Sequence, residues 1–302
     1  MNEVEQFWPA LSLEEWEATY RTLHMWSQIV GKICLTLRPL ENHFWNVALY
    51  VNTRGLTTSA IPYRGRSFEI QFDFVQHRLE LRTSDTDRAF SLSPMSVAAF
   101  YRELFSLLHS AGIDVQINPK PQEVPNPVPL NLDETHASYD PEYANRLFRI
   151  LRSTDIVLQE FRSRFIGKAS PVHFFWGSFD LCCTRFNGRP APPRKGVITS
   201  ESYSHECSSV GWWPGGRGVM GPAFYAYTAP APSGLNEQAI RPANGRYEGN
   251  LGEFLLMYED VRRMASPHDE ILAFAQSTYE AGARLARWDR ATLERPFELL
   301  AA

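Results

Sequence analysis

No run of apolar residues in this chain reaches the ~18 that span a bilayer, so an integral membrane helix is not expected. The opening Met1-Asn2-Glu3-Val4-Glu5 is acidic, the wrong sign for a secretory or transit segment. Basic residues are not in excess. Lys and Arg number 30 against 34 Asp and Glu, for a net charge of -4, and the arginines are scattered. Phosphate backbones need a clustered basic surface, so nucleic acid is not an expected partner. Cysteine is scarce: Cys34, Cys182, Cys183 and Cys207 form neither a C-x-x-C pair nor a zinc-ribbon spacing. A chain of 302 residues can bury a core without staples, so these read as reduced thiols of a cytoplasmic protein. There is no P-loop and no G-x-S-x-G, and Lys32 and Lys168 follow glycines without the spacing of a phosphate cradle. Gly216 to Gly221 spells G-x-G-x-x-G. Pro222 and a strand-like Ala223–Thr228 follow it where a dinucleotide site needs a helix, so no nucleotide cofactor is expected.

What is present reads as globular α+β. Ser12-Leu13-Glu14-Glu15 is a capping box. Trp16, Tyr20, Leu23, Trp26 and Val30 follow at helical spacing, and Gly31 is expected to end that helix. Glu69–Phe74 alternates polar and apolar residues, and His77–Arg82 repeats the pattern as a partner strand of an antiparallel sheet. Ser93-Pro94 reads as the entry to a helix with Val97, Phe100, Leu104 and Leu108 inward. Prolines at 119, 121, 125, 127 and 129 mark residues 118–139 as an extended linker. Asp140-Pro141 opens a long helix to about Ile166, and Ser266-Pro267 opens a last one.

Short matches recur in order across the linker. Ile29–Lys32 resembles Phe165–Lys168, His43–Trp45 resembles His173–Trp176, and Thr53-Arg54 resembles Thr184-Arg185. The expectation is an internal duplication: helix–antiparallel sheet–helix units at 1–117 and 140–302. Laid over each other, Val47, Leu49 and Val51 of the first unit face Ser178, Asp180 and Cys182 of the second. Alternation along a strand puts each triplet on one face. An apolar face in one unit thus becomes a carboxylate between a hydroxyl and a thiol in the other, unless the strand is bulged or that face is exposed.

The second unit therefore holds the candidate site. His205 is a candidate general base, with Asp180 or Glu206 as its carboxylate partner. Adjacent His205 and Glu206 point to opposite faces of a regular strand. His173 and His205 are candidate ligands of a divalent metal, although no metal-binding spacing is present. Arg185 is a candidate binder of an anionic group. Trp176, Trp212, Trp213, Tyr225 and Tyr227 are candidate pocket walls. His43 reads as part of helix–sheet packing. The composite expectation is an enzyme acting on a small polar molecule. The alternative is a non-catalytic binding or interaction module using an aromatic loop.

Four segments carry a family resemblance: Thr22–Lys32, Arg54–Thr58, Pro171–Leu181 and Tyr203–Cys207. They resemble those of a bacterial family known as a domain of unknown function. The resemblance implies a bacterial, soluble, single-unit protein and supplies no activity.

Overall fold

The computed structural model describes residues 3–216 and 218–296. A short helix α1 (Glu3–Phe7) precedes α2 (Leu13–Leu37). Ser12 sits at the start of α2, but its hydroxyl makes no capping bond. Gly31 does not end α2, which runs on to Leu37. A Cβ on Gly31 would come within 2.0 Å of the Trp176 indole, so the glycine is there for close packing.

A 3-10 turn, Asn42–Val47, leads into the first antiparallel sheet. Its strands are β1 (Tyr50–Val51), β2 (Gly55–Thr57), β3 (Ile61–Tyr63), β4 (Arg66–Asp73), β5 (Arg78–Thr83) and β6 (Asp87–Ser91). The order is β1-β2-β4-β5-β6, with β3 also paired to β4. The predicted alternation pairs as Ile70 with Leu81 and Phe72 with Leu79, and all four are buried. Helix α3 (Val97–Ser110) starts behind Ser96, whose hydroxyl accepts from the Ala99 amide, not at Ser93-Pro94.

The Pro-rich segment is extended but docked. Gln28 of α2 bonds the Gln122 backbone twice, at 2.9 and 2.7 Å. Val97 and Ala98 donate to the carbonyls of His136 and Asp133. Helix α4 (Pro141–Ser163) is capped by the Asp140 carboxylate, which takes the amides of Glu142 and Tyr143.

The second sheet comprises β7 (His173–Phe175), β8 (Asp180–Pro190), β9 (His205–Trp213), β10 (Ala223–Ala229), β11 (Arg246–Glu248) and β12 (Glu253–Met257). A short helix α5 (Val197–Ser202) lies between β8 and β9. The order is β11-β12-β10-β9-β8-β7, all antiparallel. After a single turn α6 (Tyr258–Val261) comes α7 (Pro267–Leu285), with Pro267 in its first turn as expected, and then α8 (Arg290–Leu293). The sheets touch where Leu49 and Phe174 exchange backbone hydrogen bonds of 2.9 and 2.8 Å. One continuous buried cluster runs through both halves. No helix among the described residues is long and apolar enough to cross a membrane.

The α+β class holds, with two antiparallel six-strand sheets, but there is no evidence of internal duplication. The matched segments occupy different elements. Ile29–Lys32 lies inside α2, whereas Phe165–Lys168 follows the end of α4. His43–Trp45 lies in the 3-10 turn, whereas His173–Phe175 is β7. The compared strand faces dissolve too: Val47 closes the turn and Ser178 precedes β8.

The contact of Gly31 with Trp176 yields a sign prediction. Gly→Ala inside a helix ordinarily stabilises by about 1 kcal/mol. Here the added methyl must displace a buried indole, an overpacking cost of about 1–3 kcal/mol that outweighs the helix gain. Gly31→Ala should therefore lower the urea midpoint; an unchanged or raised midpoint would count against this packing.

Candidate functional site

Side-chain alternation divides the second sheet into two chemically different faces. Leu181, Cys183 and Arg185 of β8 share one face with Val210, Trp212 and Phe224, and α4 and α7 pack there. Asp180, Cys182 and Thr184 share the other with Ser209, Gly211, Trp213, Tyr225 and Tyr227. Other segments edge this second face: Trp45 and Tyr50 lie against His173, Tyr203 against Tyr227, and Val219 packs with Cys182 and Tyr225.

Asp180 is the buried carboxyl of that face. It is 7% exposed, and its carboxylate accepts the Tyr225 hydroxyl. Tyr225 stands directly opposite Gly211. A Cβ on Gly211 would lie 2.6 Å from the Tyr225 hydroxyl oxygen, so only glycine lets the phenol cross β9 to reach β8. Burial pushes the Asp180 carboxyl up to about 7; the charges of Glu123 and Glu253 push the same way, and the Tyr225 bond opposes them. The Tyr225 and Tyr227 rings are parallel, with centroids 6.2 Å apart. Tyr227 and Tyr203 join hydroxyls at 3.1 Å, and Thr184 and Ser209 at 2.9 Å.

The turn before β8 aims Asp180. Phe179 is buried with φ of 58°, a left-handed backbone rarely taken by a bulky residue. Its ring is held against Tyr20 and His24 of α2. The His24 Nε2–H donates to the Gly177 carbonyl at 2.9 Å, and Trp176 Nε1–H donates to the Val47 carbonyl at 2.9 Å. Trp176 is thus buried between α2 and the 3-10 turn, where it does not wall a pocket.

The other expected site residues separate. His205 is on the Asp180 face, but it pairs with Pro190, whereas Leu181 beside Asp180 pairs with Trp212. At ~3.3 Å per residue the two side chains are on the order of 25 Å apart. Glu206 points to the opposite face, where Asn187 and Arg189 each bond it at 2.6 Å. Neither expected His–carboxylate pair is assembled. His205 instead contacts the Ser204 hydroxyl at 3.1 Å and lies edge-on to the His43 ring.

Arg185 turns under the helices. It is fully buried, donates to the Phe161 carbonyl, and places its guanidinium 3.5 Å from the Phe161 ring centroid and 4.3 Å from that of Tyr279. Burial lowers its pKa to about 10. It cannot reach a ligand on the Asp180 face. Trp212 is fully buried on the same side, while Trp213, Tyr225 and Tyr227 are on the Asp180 face.

His173 is fully buried, and burial lowers its pKa to about 3. It stands opposite Cys182, at the far end of β8 from His205. Among the described residues no three His, Cys, Asp or Glu side chains gather to hold a metal ion. All four cysteines are free and buried, and burial raises each thiol, Cys207 to about 12, so none is a ready nucleophile. The sequence reading passed over Ser209, Gly211 and Thr184. For Ser209 and Gly211 the alternation Cys207, Ser209, Gly211, Trp213 was the visible signal, and for Thr184 it was the spacing from Asp180 and Cys182.

Residues 8–295 match DUF5996, a family of unknown function. The chain belongs to that family. No curated protein and no solved structure matches it. In this DUF5996 chain, Thr22–Lys32 and Pro171–Leu181 are spatial partners: Trp176 on Gly31, Gly177 on His24, and Asp180 at the end.

The raised Asp180 pKa fixes a pH dependence. The unfolded chain releases this proton near pH ~4, the folded one near 7. Between those values the folded state binds more protons, so the Asp180 contribution to stability falls as pH rises through that window. Asp180→Asn removes the fall. Its urea midpoint relative to wild type should climb between about pH 4 and pH 8. A pH-independent difference would contradict the assignment.

Proposed function

We propose that this protein binds a small polar molecule on the Asp180 face of its second sheet, with Asp180 as the acid–base group. The observation that carries this reading is a buried carboxyl with its pKa raised to about 7, bonded by Tyr225 and surrounded by hydroxyls and rings. A group with that pKa can both give and take a proton at neutral pH. The expected His205 chemistry is thereby transferred to Asp180. Trp213, Tyr225 and Tyr227 supply flat walls; Ser209, Thr184 and Tyr203 supply hydroxyls. The charges of Glu123 and Glu253 nearby favour a neutral or cationic ligand over an anion. The free, buried cysteines accord with a reducing compartment.

A fragment screen of small polyols, amines and heteroaromatics by ligand-observed NMR tests the reading. Hits should lose about tenfold or more in affinity in Asp180→Asn and in Tyr225→Phe, a loss of about 1.4 kcal/mol or more. Where turnover accompanies binding, the limb of the pH–rate profile near pH 7 should vanish in Asp180→Asn. Hits that bind both variants like wild type would place the ligand elsewhere.

A further inference from the structure

We propose a second site, separate from the one around Asp180, that binds a phosphate or diphosphate group in the cleft beneath Trp45. The cleft has a volume of about 390 Å³ and is lined by Trp45, Arg162, Lys168 and Arg295 together with the segment from Phe165 to Ala169. Among the described residues, three cationic side chains line it and no carboxylate does. Among the described residues none of the three forms an ion pair.

Each cation is fixed by a different device. Arg162 donates its Nε–H to the Ser170 carbonyl at 2.7 Å, and Arg295 donates its Nε–H to the Ser163 carbonyl at 2.8 Å. Both anchors use Nε and leave the terminal nitrogens for a ligand. A guanidinium offering that edge matches the oxygens of phosphate. Lys168 lies over the rings of Trp45 and Phe186, 5.3 and 5.2 Å from their centroids. Its ammonium donates to His43 Nε2 at 2.7 Å. That bond assigns the tautomer: the His43 Nδ1–H then donates to the Glu201 carbonyl at 3.2 Å. His43 and Phe44 both have left-handed backbones, with φ of 58° and 59°. Two consecutive strained residues here aim one imidazole at one ammonium.

Two features oppose an anion, and both are answered. The C-terminus of α4 carries partial negative charge on its last carbonyls. Those of Phe161, Arg162, Ser163 and Arg164 are already taken by Arg185, the Phe165 amide, Arg295 Nε and the Arg295 amide. The carboxylate facing this region, Glu201, is bonded to the His43 amide at 3.0 Å and does not line the cleft. Burial lowers the pKa of both Lys168 and His43, and an anion bound beside them would raise both again.

Isothermal titration calorimetry with sodium pyrophosphate, at low ionic strength, tests the site. Binding should be seen below ~1 mM and should weaken as salt rises. Lys168→Met keeps the stem over Trp45 but removes the charge. It should weaken binding about tenfold or more, as should Arg295→Gln, an exposed position whose change leaves the core intact. Asp180→Asn should bind pyrophosphate like wild type, which separates this site from the one proposed above. Absence of heat to about 10 mM, or wild-type affinity in both Lys168→Met and Arg295→Gln, would overturn the proposal.

Discussion

The packing of Trp176 onto Gly31 is the contact on which the placement of Asp180 depends. It joins the first helix of the chain to the segment that enters the second sheet. Around it the Trp176 indole bonds the Val47 carbonyl, His24 bonds the Gly177 carbonyl, and Phe179 is held in a left-handed turn against Tyr20 and His24. Each of these fixes backbone rather than a mobile side chain. The next residue is Asp180, so its carboxyl is placed by elements from both halves. Neither half alone positions that carboxyl.

Strand β8 carries two buried ionisable groups, and the protein treats them oppositely. Arg185 points under α4 and α7, where ring faces and a carbonyl receive a delocalised cation. Asp180 points to the other face, where Tyr225 and nearby carboxylates surround it. A buried carboxylate without a cation is costly, so holding its proton up to neutral pH is the cheaper solution. The structural charge and the chemical group are thus separated by one sheet and by the parity of one strand. Parity also puts Arg185 beneath the helices, and Trp213 rather than Trp212 on the Asp180 face.

Much of the architecture was legible because it rests on local patterns. The alternation of Glu69–Phe74 and the Asp140 cap specify their elements without tertiary help. The α+β class followed from the grouping of strands between helices. That Tyr225 and Tyr227 share one face of β10, and Asp180 and Cys182 one face of β8, was legible because period-two spacing reads the face of a strand directly. Long-range geometry was not legible. Gly31 looked like a helix stop because its packing partner is Trp176, far along the chain. His205 and Asp180 share a face, but strand register sets their separation, and sequence periodicity does not contain register. The short repeats suggested duplication because four-residue matches carry no information about the element that holds them. His43 and Lys168 meet only in three dimensions, so the cleft beneath Trp45 left no motif.

The central claim is that the lock on α2 holds Asp180 in a site where its carboxyl titrates near neutrality. Carbon-13 NMR titration of aspartate-labelled protein, wild type and Gly31→Ala, measures this directly. The account predicts one carboxyl resonance titrating near pH 7 in wild type, absent in Asp180→Asn and displaced toward the ordinary carboxylate range in Gly31→Ala. An Asp180 resonance that titrates below about pH 5 in the wild type, or at the same pH with and without the Gly31 substitution, would contradict it.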